Sequence, residues 1–279
     1  MKILPLLIAG AVFSPLASHA ILIYGLTAGN GLVRFESSAP SVVTTVGTIS
    51  QPGIVDIDFY PFNGRLYGAT NTGSLYRINI LDASATLAVT ASITGVTDID
   101  FNPSADRVRI FGANDTNFRL SPDVGNNAGF TSGALTTDGT FSNTAVNLVG
   151  SAYTNNFDGV TSASTQLFSI DSASNSLFAH TNGAGDPAGS FNVVTQVGTG
   201  LGFTVGTNVG FDIGQDGSAY LSTGNTLSVV DLNNGTGTPI GPIGGAPLLS
   251  IAAVAVPEAS TASVLLLTGL AALRRRRRA

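Results

Sequence analysis

The segment Asp56–Pro61, with the sequence DIDFYP, recurs as DIDFNP at Asp98–Pro103, and this repeat decides the fold. A weaker copy, GFDI, lies at Gly210–Ile213, and two degenerate copies lie at 150–153 and 250–253. The copies are 42, 52, 60 and 40 residues apart when they are aligned on Asp58, Asp100, Ala152, Asp212 and Ala252. Four-stranded units repeated at roughly this spacing are typical of β-propeller blades.

Short apolar segments follow each copy and indicate further strands of the same unit. In the first full unit these segments are Arg65–Gly68 and Ser74–Ile78. In the third unit, Leu167–Ile170 fits either a second or a third strand, and the assignment of Leu177 and Phe178 depends on that choice. Tight hairpins need residues with positive φ, which are supplied by Asn63-Gly64, Asp216-Gly217 and Asn234-Gly235.

The two ends of the repeat region predict a closed ring. Ile21–Gly25 resembles a second strand with no first strand before it, whereas Leu249–Val254 is a surplus first strand at the other end. Leu32–Phe35 and Val42–Val46 would then be the third and fourth strands of this shared blade. We therefore predict an all-β, β-propeller-like domain of five blades over residues 21–255. A β-sandwich or an irregular stack of hairpins is the alternative architecture.

The composition limits the classes of function. The chain of 279 residues is 43% hydrophobic and only 10% charged, so it can bury a sizeable core. It has no cysteine, which excludes disulfides, thiol catalysis and thiolate metal sites. Residues 21–255 hold six arginines against fifteen aspartates and Glu36, a formal charge of −10. Because such a domain repels phosphate backbones, we expect no binding to nucleic acid.

Residues 1–20 have the layout of a secretory signal peptide. Lys2 gives a positive start, residues 3–16 are apolar, and the small residues Ser18 and Ala20 form a cleavage site. The apolar stretch is short for a membrane span, which needs about 20 residues. We therefore expect export of the chain and cleavage after Ala20.

Residues 256–279 form a tail with three parts. They are the motif Val256-Pro257-Glu258, an apolar segment at 261–273, and the run Arg274, Arg275, Arg276, Arg277 and Arg278. An apolar segment stopped by arginines predicts a transmembrane helix whose charged end stays in the cytoplasm. The tail resembles the PEP-CTERM sorting signal of Gram-negative bacteria, although Ala259 stands where that family usually has a second proline. The resemblance implies processing by an exosortase; an ordinary membrane anchor is the alternative.

The repeat also resembles a catalogued domain family. The motif DIDFxP followed by RLYG at Arg65–Gly68, with IYGLT at Ile23–Thr27, is similar to the family called domain of unknown function 4394. The resemblance covers most of 21–255 and is most specific at 56–68 and 98–120. That family has no known activity, so the resemblance supports the fold and implies no chemistry.

Catalytic groups are scarce in the predicted mature domain. His180 is its only histidine, because His19 leaves with the signal peptide, and lysine is absent. A Ser-His-Asp triad would have to be built around His180 alone. We instead expect a solvated histidine in a loop or at a strand end, and an enzymatic function is not favoured.

The candidate ligand site consists of the repeated carboxylates Asp56, Asp58, Asp98, Asp100 and Asp212. Aspartates two apart in a strand share a face, and facing a central channel they could bind Ca²⁺ or act as an acid/base pair on a sugar. Alternatively they are structural. They would then accept backbone N–H bonds from a neighbouring turn, or form ion pairs with Arg65 and Arg107 of the same blade. No other cofactor is expected.

The sequence thus predicts an exported bacterial protein. It would lie in the inner membrane before processing, and afterwards at the cell surface or in the extracellular matrix. Its domain would have a binding or structural role, with exopolysaccharide as a candidate partner. The alternative is a propeller enzyme or lectin that acts on polysaccharide through channel-facing aspartates.

Overall fold

The computed structural model describes residues 20–122, 131–143, 145–156 and 162–255. These residues form twenty β-strands, which pair into five antiparallel sheets of four strands each. A 3-10 turn of three residues at Ala113–Asp115 interrupts the strands of the third sheet. The architecture is all-β, as predicted.

Each sheet is one blade, numbered here in chain order. Blade 1 contains β20 (Leu248–Ala255), β1 (Ile21–Thr27), β2 (Gly31–Glu36) and β3 (Thr44–Thr48). Blade 2 contains β4 (Ile54–Tyr60), β5 (Arg65–Thr70), β6 (Leu75–Ile78) and β7 (Ala85–Val89). Blade 3 contains β8 (Asp98–Asn102), β9 (Arg107–Gly112), β10 (Thr116–Leu120) and β11 (Leu135–Thr140). Blade 4 contains β12 (Leu148–Tyr153), β13 (Leu167–Asp171), β14 (Ser176–Thr181) and β15 (Val193–Val197). Blade 5 contains β16 (Val209–Ile213), β17 (Ala219–Thr223), β18 (Thr226–Val230) and β19 (Gly237–Pro242).

The ring is closed within blade 1 by strands from both ends of the domain. Strand β20 pairs with β1 in a register that runs from Ile21 opposite Ala255 to Leu26 opposite Ser250. The innermost strands pack in the order β20, β4, β8, β12, β16 and back to β20. The predicted five-bladed propeller, and the pairing that closes it, are therefore confirmed.

Burial explains why the repeat has its sequence pattern. Every residue of β8 and β16 is buried, because an innermost strand is covered on both faces by neighbouring blades. Such strands read as apolar runs interrupted by the aspartates and by a few other residues such as Asn102 and Gly210. The outermost strand β19 is largely exposed and carries two prolines, which are tolerated at a sheet edge.

An equivalent backbone hydrogen bond is found in all five connections between blades. The backbone carbonyl of a turn residue between the second and third strands accepts the N–H of a buried apolar residue that leads into the next blade, at 2.7–3.2 Å. The acceptor and donor pairs are Asn30 with Ile49, Asn71 with Val96, Asp115 with Phe141, Asn175 with Leu201, and Asn225 with Ile243. These buried donors are thereby satisfied without a sheet partner.

The structure resolves or corrects two strand assignments. In blade 4, Leu167–Asp171 is the second strand and Ser176–Thr181 the third, so the fourth is Val193–Val197. In blade 1, the fourth strand is Thr44–Thr48 rather than Val42–Val46. Val42 lies in the preceding turn with 69% of its surface exposed, so hydrophobicity alone had misplaced this strand.

The predicted membrane segments lie at or beyond the ends of the described chain. Residues 1–19 of the predicted signal peptide lie outside the described residues, as do Val256, Pro257, Glu258 and the run Arg274–Arg278. The predicted C-terminal transmembrane helix falls on the same undescribed tail. Within residues 20–255, excepting the gaps given above, no helix is long and apolar enough to cross a membrane.

Candidate functional site

Three buried aspartates converge at the centre of the ring. Asp58, Asp100 and Asp212 occupy equivalent positions on β4, β8 and β16, and each is at most 2% exposed. One carboxylate oxygen of each lies within 4.8 Å of the others. Repetition of one sequence position around a closed ring thus brings together residues that are far apart in the chain.

Each of these carboxylates accepts a backbone N–H from the innermost strand of the next blade. Asp58 accepts from Phe101 at 2.8 Å, and Asp100 accepts from Tyr153 at 3.0 Å. Asp212 accepts from Ala253 at 2.6 Å. The repeated aspartate is therefore a connector between blades.

The two blades without this aspartate are compensated by their neighbours. Ala152 and Ala252 stand at the equivalent positions of blades 4 and 1 and offer no acceptor. The N–H groups of Ile213 in blade 5 and Phe59 in blade 2 therefore find no carboxylate in the preceding blade. Each donates instead to the aspartate just before it in the sequence, Ile213 to Asp212 and Phe59 to Asp58, both at 2.6 Å. Three carboxylates thus satisfy one backbone donor in each of five blades.

A second level lies two residues earlier on the same strands. Asp56 accepts the N–H of Ile99 at 2.5 Å. Asp98 accepts the N–H of Ser151 at 3.0 Å and is also bonded by the Ser151 hydroxyl. In blade 1, Ser250 replaces the aspartate and accepts the N–H of Ile57 at 3.1 Å.

Glycines take this second-level position in blades 4 and 5. A Cβ on Gly210 would lie 2.4 Å from the backbone nitrogen of Ile251, so no side chain fits there. A Cβ on Gly150 would lie 3.0 Å from the Cβ of Phe211. The innermost strands of blades 4, 5 and 1 therefore approach too closely for a second ring of acids.

Burial dominates the electrostatics of the five carboxyl groups. Removal from water raises the pKa of Asp56 and Asp212 to about 7. Burial, with a smaller contribution from the neighbouring carboxylates, raises the pKa of Asp58, Asp98 and Asp100 well above its usual range. Burial therefore favours the protonated form of these carboxyl groups, and protonation relieves the repulsion between them.

The convergent oxygens suit only a hard cation. Asp58, Asp100 and Asp212 would be the residues to hold it, and carboxylate oxygens are ligands that Ca²⁺ accepts. Calcium, however, takes six to eight ligands. Both oxygens of Asp58 and of Asp212 already accept backbone N–H bonds. The donor set fits calcium in kind but supplies only part of its coordination.

A small cavity lies beside residues that neighbour these acids in the chain. A cavity of about 40 Å³ lies there, and Phe59, Tyr60, Gln215 and Ala253 are among its lining residues. This volume is close to that of one water molecule, whereas pockets for sugar-sized ligands measure about 300–1,000 Å³. This cavity, whose described lining does not include the aspartates, is therefore too small for a sugar.

The predicted ion pairs within each blade do not form. Asp58 and Asp100 turn toward the next blade, away from Arg65 and Arg107. Arg65 is exposed, and Arg107 donates to the carbonyls of Arg119 at 2.8 Å and of Ala134 at 3.1 Å. The aspartates do accept backbone N–H bonds, as the alternative prediction had it, but the donors lie in the next innermost strand and not in a neighbouring turn.

The prediction of a solvated His180 is wrong. His180 lies in β14, is fully buried and packs against Phe111 and Phe141. Its Nδ1 lies 3.0 Å from the carbonyl oxygen of Phe191, and its Nε2 lies 2.7 Å from the hydroxyl of Ser169. A carbonyl only accepts, so Nδ1 carries the proton and Nε2 accepts from Ser169.

This serine–histidine pair is a structural contact. Burial lowers the pKa of His180 to about 3, with a smaller contribution from Arg109, so the ring is neutral at physiological pH. Ser169 is also fully buried, which keeps substrates away from its hydroxyl. The pair has the hydrogen-bond order of a nucleophile and its base, without access for a substrate.

Sequence reasoning missed a buried arginine cluster between blades 3 and 4. Arg109 is 1% exposed and forms an ion pair with Asp138 at 2.8 Å. It also donates to Asn117 at 2.7 Å and to the hydroxyl of Tyr153 at 3.1 Å. The available signal was the pattern RVRIF at 107–111, in which an arginine occupies an interior position of an otherwise apolar strand.

Comparisons with known proteins agree with this fold. The profile of the family described as "Domain of unknown function (DUF4394)" matches residues 31–252. A comparison with curated proteins finds no significant match.

Solved structures resemble this chain at low sequence identity. A symmetrical protein from a study of de novo evolutionary emergence has a TM-score of 0.51 and 13% identity, over 83% of this chain and 97% of its own. A protein of unknown function from Bacteroides thetaiotaomicron has the same TM-score and identity, over 85% of this chain and 65% of its own. A gluconolactonase from Xanthomonas campestris has a TM-score of 0.47 and 15% identity, over 82% of this chain and 78% of its own. At such identities the likeness concerns the fold alone.

Proposed function

This chain belongs to the DUF4394 family, and we propose that it is an exported bacterial surface or matrix protein whose propeller has a binding or structural role rather than an enzymatic one. Ring closure is the observation that carries the proposal. Ile21, the first residue after the proposed cleavage site, is paired with Ala255, the last residue before the proposed sorting motif. Both terminal segments could therefore be removed without the loss of a strand.

The arrangement of the acids supports a non-enzymatic role. A catalytic carboxylate must reach a substrate, whereas the carboxylates here are buried and bonded to backbone N–H groups of adjacent strands. His180 and Ser169 are likewise enclosed. A lectin or enzyme that uses the channel aspartates is the second candidate, and it rests only on the convergence of Asp58, Asp100 and Asp212.

Sorting would proceed in two steps. The signal peptide directs export and is cleaved after Ala20. The tail then holds the protein in the inner membrane of a Gram-negative cell until an exosortase acts at Val256-Pro257-Glu258. The arginine run would keep the tail end in the cytoplasm, because an arginine at the membrane centre costs about 2.5–3.5 kcal/mol on translocon scales.

The experiment follows the size and location of the protein in cells with and without the exosortase. We expect a mature chain that begins at Ile21 and lacks the arginine tail only when the enzyme is present. Glu258→Ala should block processing and leave the protein in the membrane, whereas replacing the five arginines with serine should let the tail slip through the membrane and reduce processing. A mature chain that keeps the arginine run in both strains would make the tail an ordinary anchor and refute the sorting proposal.

A further inference from the structure

Blades 1 and 2 carry matching grooves on their outer strands. Arg34 in β2 and Arg77 in β6 occupy the same place, since each lies between a tyrosine and a threonine of the flanking strands. The groove of blade 1 has a volume of about 420 Å³ and that of blade 2 about 440 Å³. The two grooves are thus built alike and can be compared position by position.

Charge distinguishes the two grooves. Two residues before the shared tyrosine, blade 1 has Leu22 and blade 2 has Arg65. Two residues after the shared arginine, blade 1 has Glu36 and blade 2 has Asn79. Among the described lining residues, blade 2 therefore presents two guanidinium groups and no carboxylate, whereas blade 1 presents one of each.

Arg65 is the available cation of the blade 2 groove. It is exposed, its backbone N–H donates to the Oδ1 of Asn63 at 3.0 Å, and within the described part of the chain its guanidinium has no hydrogen-bond partner. Arg109 and Arg119, by contrast, are bonded to Asp138 and to backbone carbonyls. In a domain with a formal charge of −10, an arginine left at the edge of a groove needs a separate explanation.

We propose that the blade 2 groove binds a carboxylated sugar residue of an acidic polysaccharide. The guanidinium of Arg65 would hold the carboxylate in the bidentate geometry that arginine favours. Ile78 and Ile80 offer an apolar wall to the ring, and the hydroxyl of Thr86 and the amide of Asn79 can bond to sugar hydroxyls. The volume lies within the range of ligand pockets.

The net negative charge of the domain repels a polyanion, so the attraction by Arg65 must act at short range. Repulsion of a polyanion by distant aspartates is screened beyond about 8 Å at physiological salt, so only the local charge decides. The inference deepens the proposed surface or matrix role, on which it rests, by naming the partner. Binding by the purified protein is measured independently of its location in the cell, so either proposal can fail alone.

The test is calorimetric titration of the mature exported protein with an oligogalacturonate and with its methyl ester, which lacks the charge. We expect saturable binding of the acid at one site and no binding of the ester. Arg65→Gln should weaken binding at least about tenfold, in line with the loss of a charge-assisted contact. Asn79→Glu, which gives blade 2 the carboxylate of blade 1, should weaken it similarly.

Arg34→Gln is the control, because it removes one guanidinium charge from the groove of blade 1, at the position that Arg77 occupies in blade 2. It should change the affinity less than about twofold, since screening makes a distant charge unimportant. Thermal melting of each variant checks that the fold is retained. Equal losses in Arg65→Gln and Arg34→Gln, binding of the methyl ester, or no binding by the wild-type protein would each overturn the proposal.

Discussion

Neighbouring blades are joined by carboxylates at the centre of the ring and by arginines in the buried cluster between blades 3 and 4. We call this second connection, formed by Arg109 and Arg119, the rim contact, or simply the rim. In the channel, carboxylates such as Asp58 and Asp212 accept backbone N–H bonds from the next innermost strand. At the rim, arginines donate to backbone carbonyls. Arg109 bonds to Gly189 at 2.5 Å and to Ser190 at 3.1 Å, and Arg119 bonds to Ala188 at 3.0 Å.

The two connections differ in how they respond to their surroundings. The channel contact recurs around the ring, and its acids can neutralise themselves because burial raises their pKa. Among the described residues the rim contact occurs once, where the long segment between β14 and β15 crosses blade 3. An arginine does not lose its charge in a protein, so the rim depends on complete hydrogen bonding.

The largest effect is expected at the rim, from Arg109→Met. This change leaves the side chain of Asn117 and the carbonyls of Gly189 and Ser190 without their charged donor in a buried site. Breaking such a buried ion pair costs about 3–5 kcal/mol, and we expect that loss in the free energy of unfolding measured in urea. Arg34→Met is the control and should change it by less than about 0.5 kcal/mol. A similar small effect of Arg109→Met would show that the rim is not a main inter-blade connection.

Within the channel, Asp212→Ala should destabilise the domain more than Asp100→Ala. Asp212 satisfies the N–H groups of Ile213 and Ala253, whereas Asp100 satisfies only that of Tyr153. Each buried donor left without a partner costs about 1–3 kcal/mol, so the two variants should differ by about that amount. Denaturant unfolding of both proteins measures the difference. If Asp100→Ala lowers the free energy of unfolding more than Asp212→Ala does, the number of bonded backbone N–H groups does not determine how much each carboxylate stabilises the domain.

Mild acid should stabilise the domain through the same carboxyl groups. The pKa of Asp56 and Asp212 is about 7 in the folded protein and 3.8 in the unfolded reference, so the folded state binds more protons between these values. Stability is then gained as pH falls through 7 and lost as pH rises through it. We expect about 1–3 kcal/mol more stability at pH 6 than at pH 8.

Between pH 6 and pH 8, His180 opposes this gain in stability only weakly. Its pKa is about 3 when folded and 6.5 in the unfolded reference, so protonation of the unfolded chain weakens the domain mainly below pH 6.5. Urea unfolding at several pH values measures the trend. Asp212→Asn should flatten it, and a stability that rises from pH 6 to pH 8 in the wild-type protein would contradict the assignment.

The smallest effect is expected from calcium. Because four oxygens of Asp58 and Asp212 already accept backbone N–H bonds, EDTA followed by about 1 mM Ca²⁺ should shift the melting temperature by less than about 1 °C. Differential scanning calorimetry gives this shift. A rise of several degrees that disappears in Asp100→Asn would instead assign a cation to the convergent aspartates.

The fold could be predicted from local signals that recur in register. The repeated motif at Asp56–Pro61 and Asp98–Pro103 located the innermost strands, and the missing first strand before Ile21 indicated ring closure. The strands of blade 4 were harder to assign, because the copy at 150–153 has lost both aspartates. The candidate acids were found by repetition alone, whereas Arg109 and His180 lie in repeat strands but do not recur from blade to blade, and they were missed or misplaced.

By itself, the sequence determined the all-β class, the number of blades, the closing strands and the positions of the repeated acids, because each depends on a pattern along the chain. Only the tertiary structure decided which group each acid contacts. Asp58 and the N–H of Phe101 are 43 residues apart, and they meet only because the innermost strands of blades 2 and 3 pack side by side. The packing of blade 3 against blade 4 likewise enclosed His180 and gave Arg109 its partners in blade 4, since burial and long-range pairing are properties of the assembled ring.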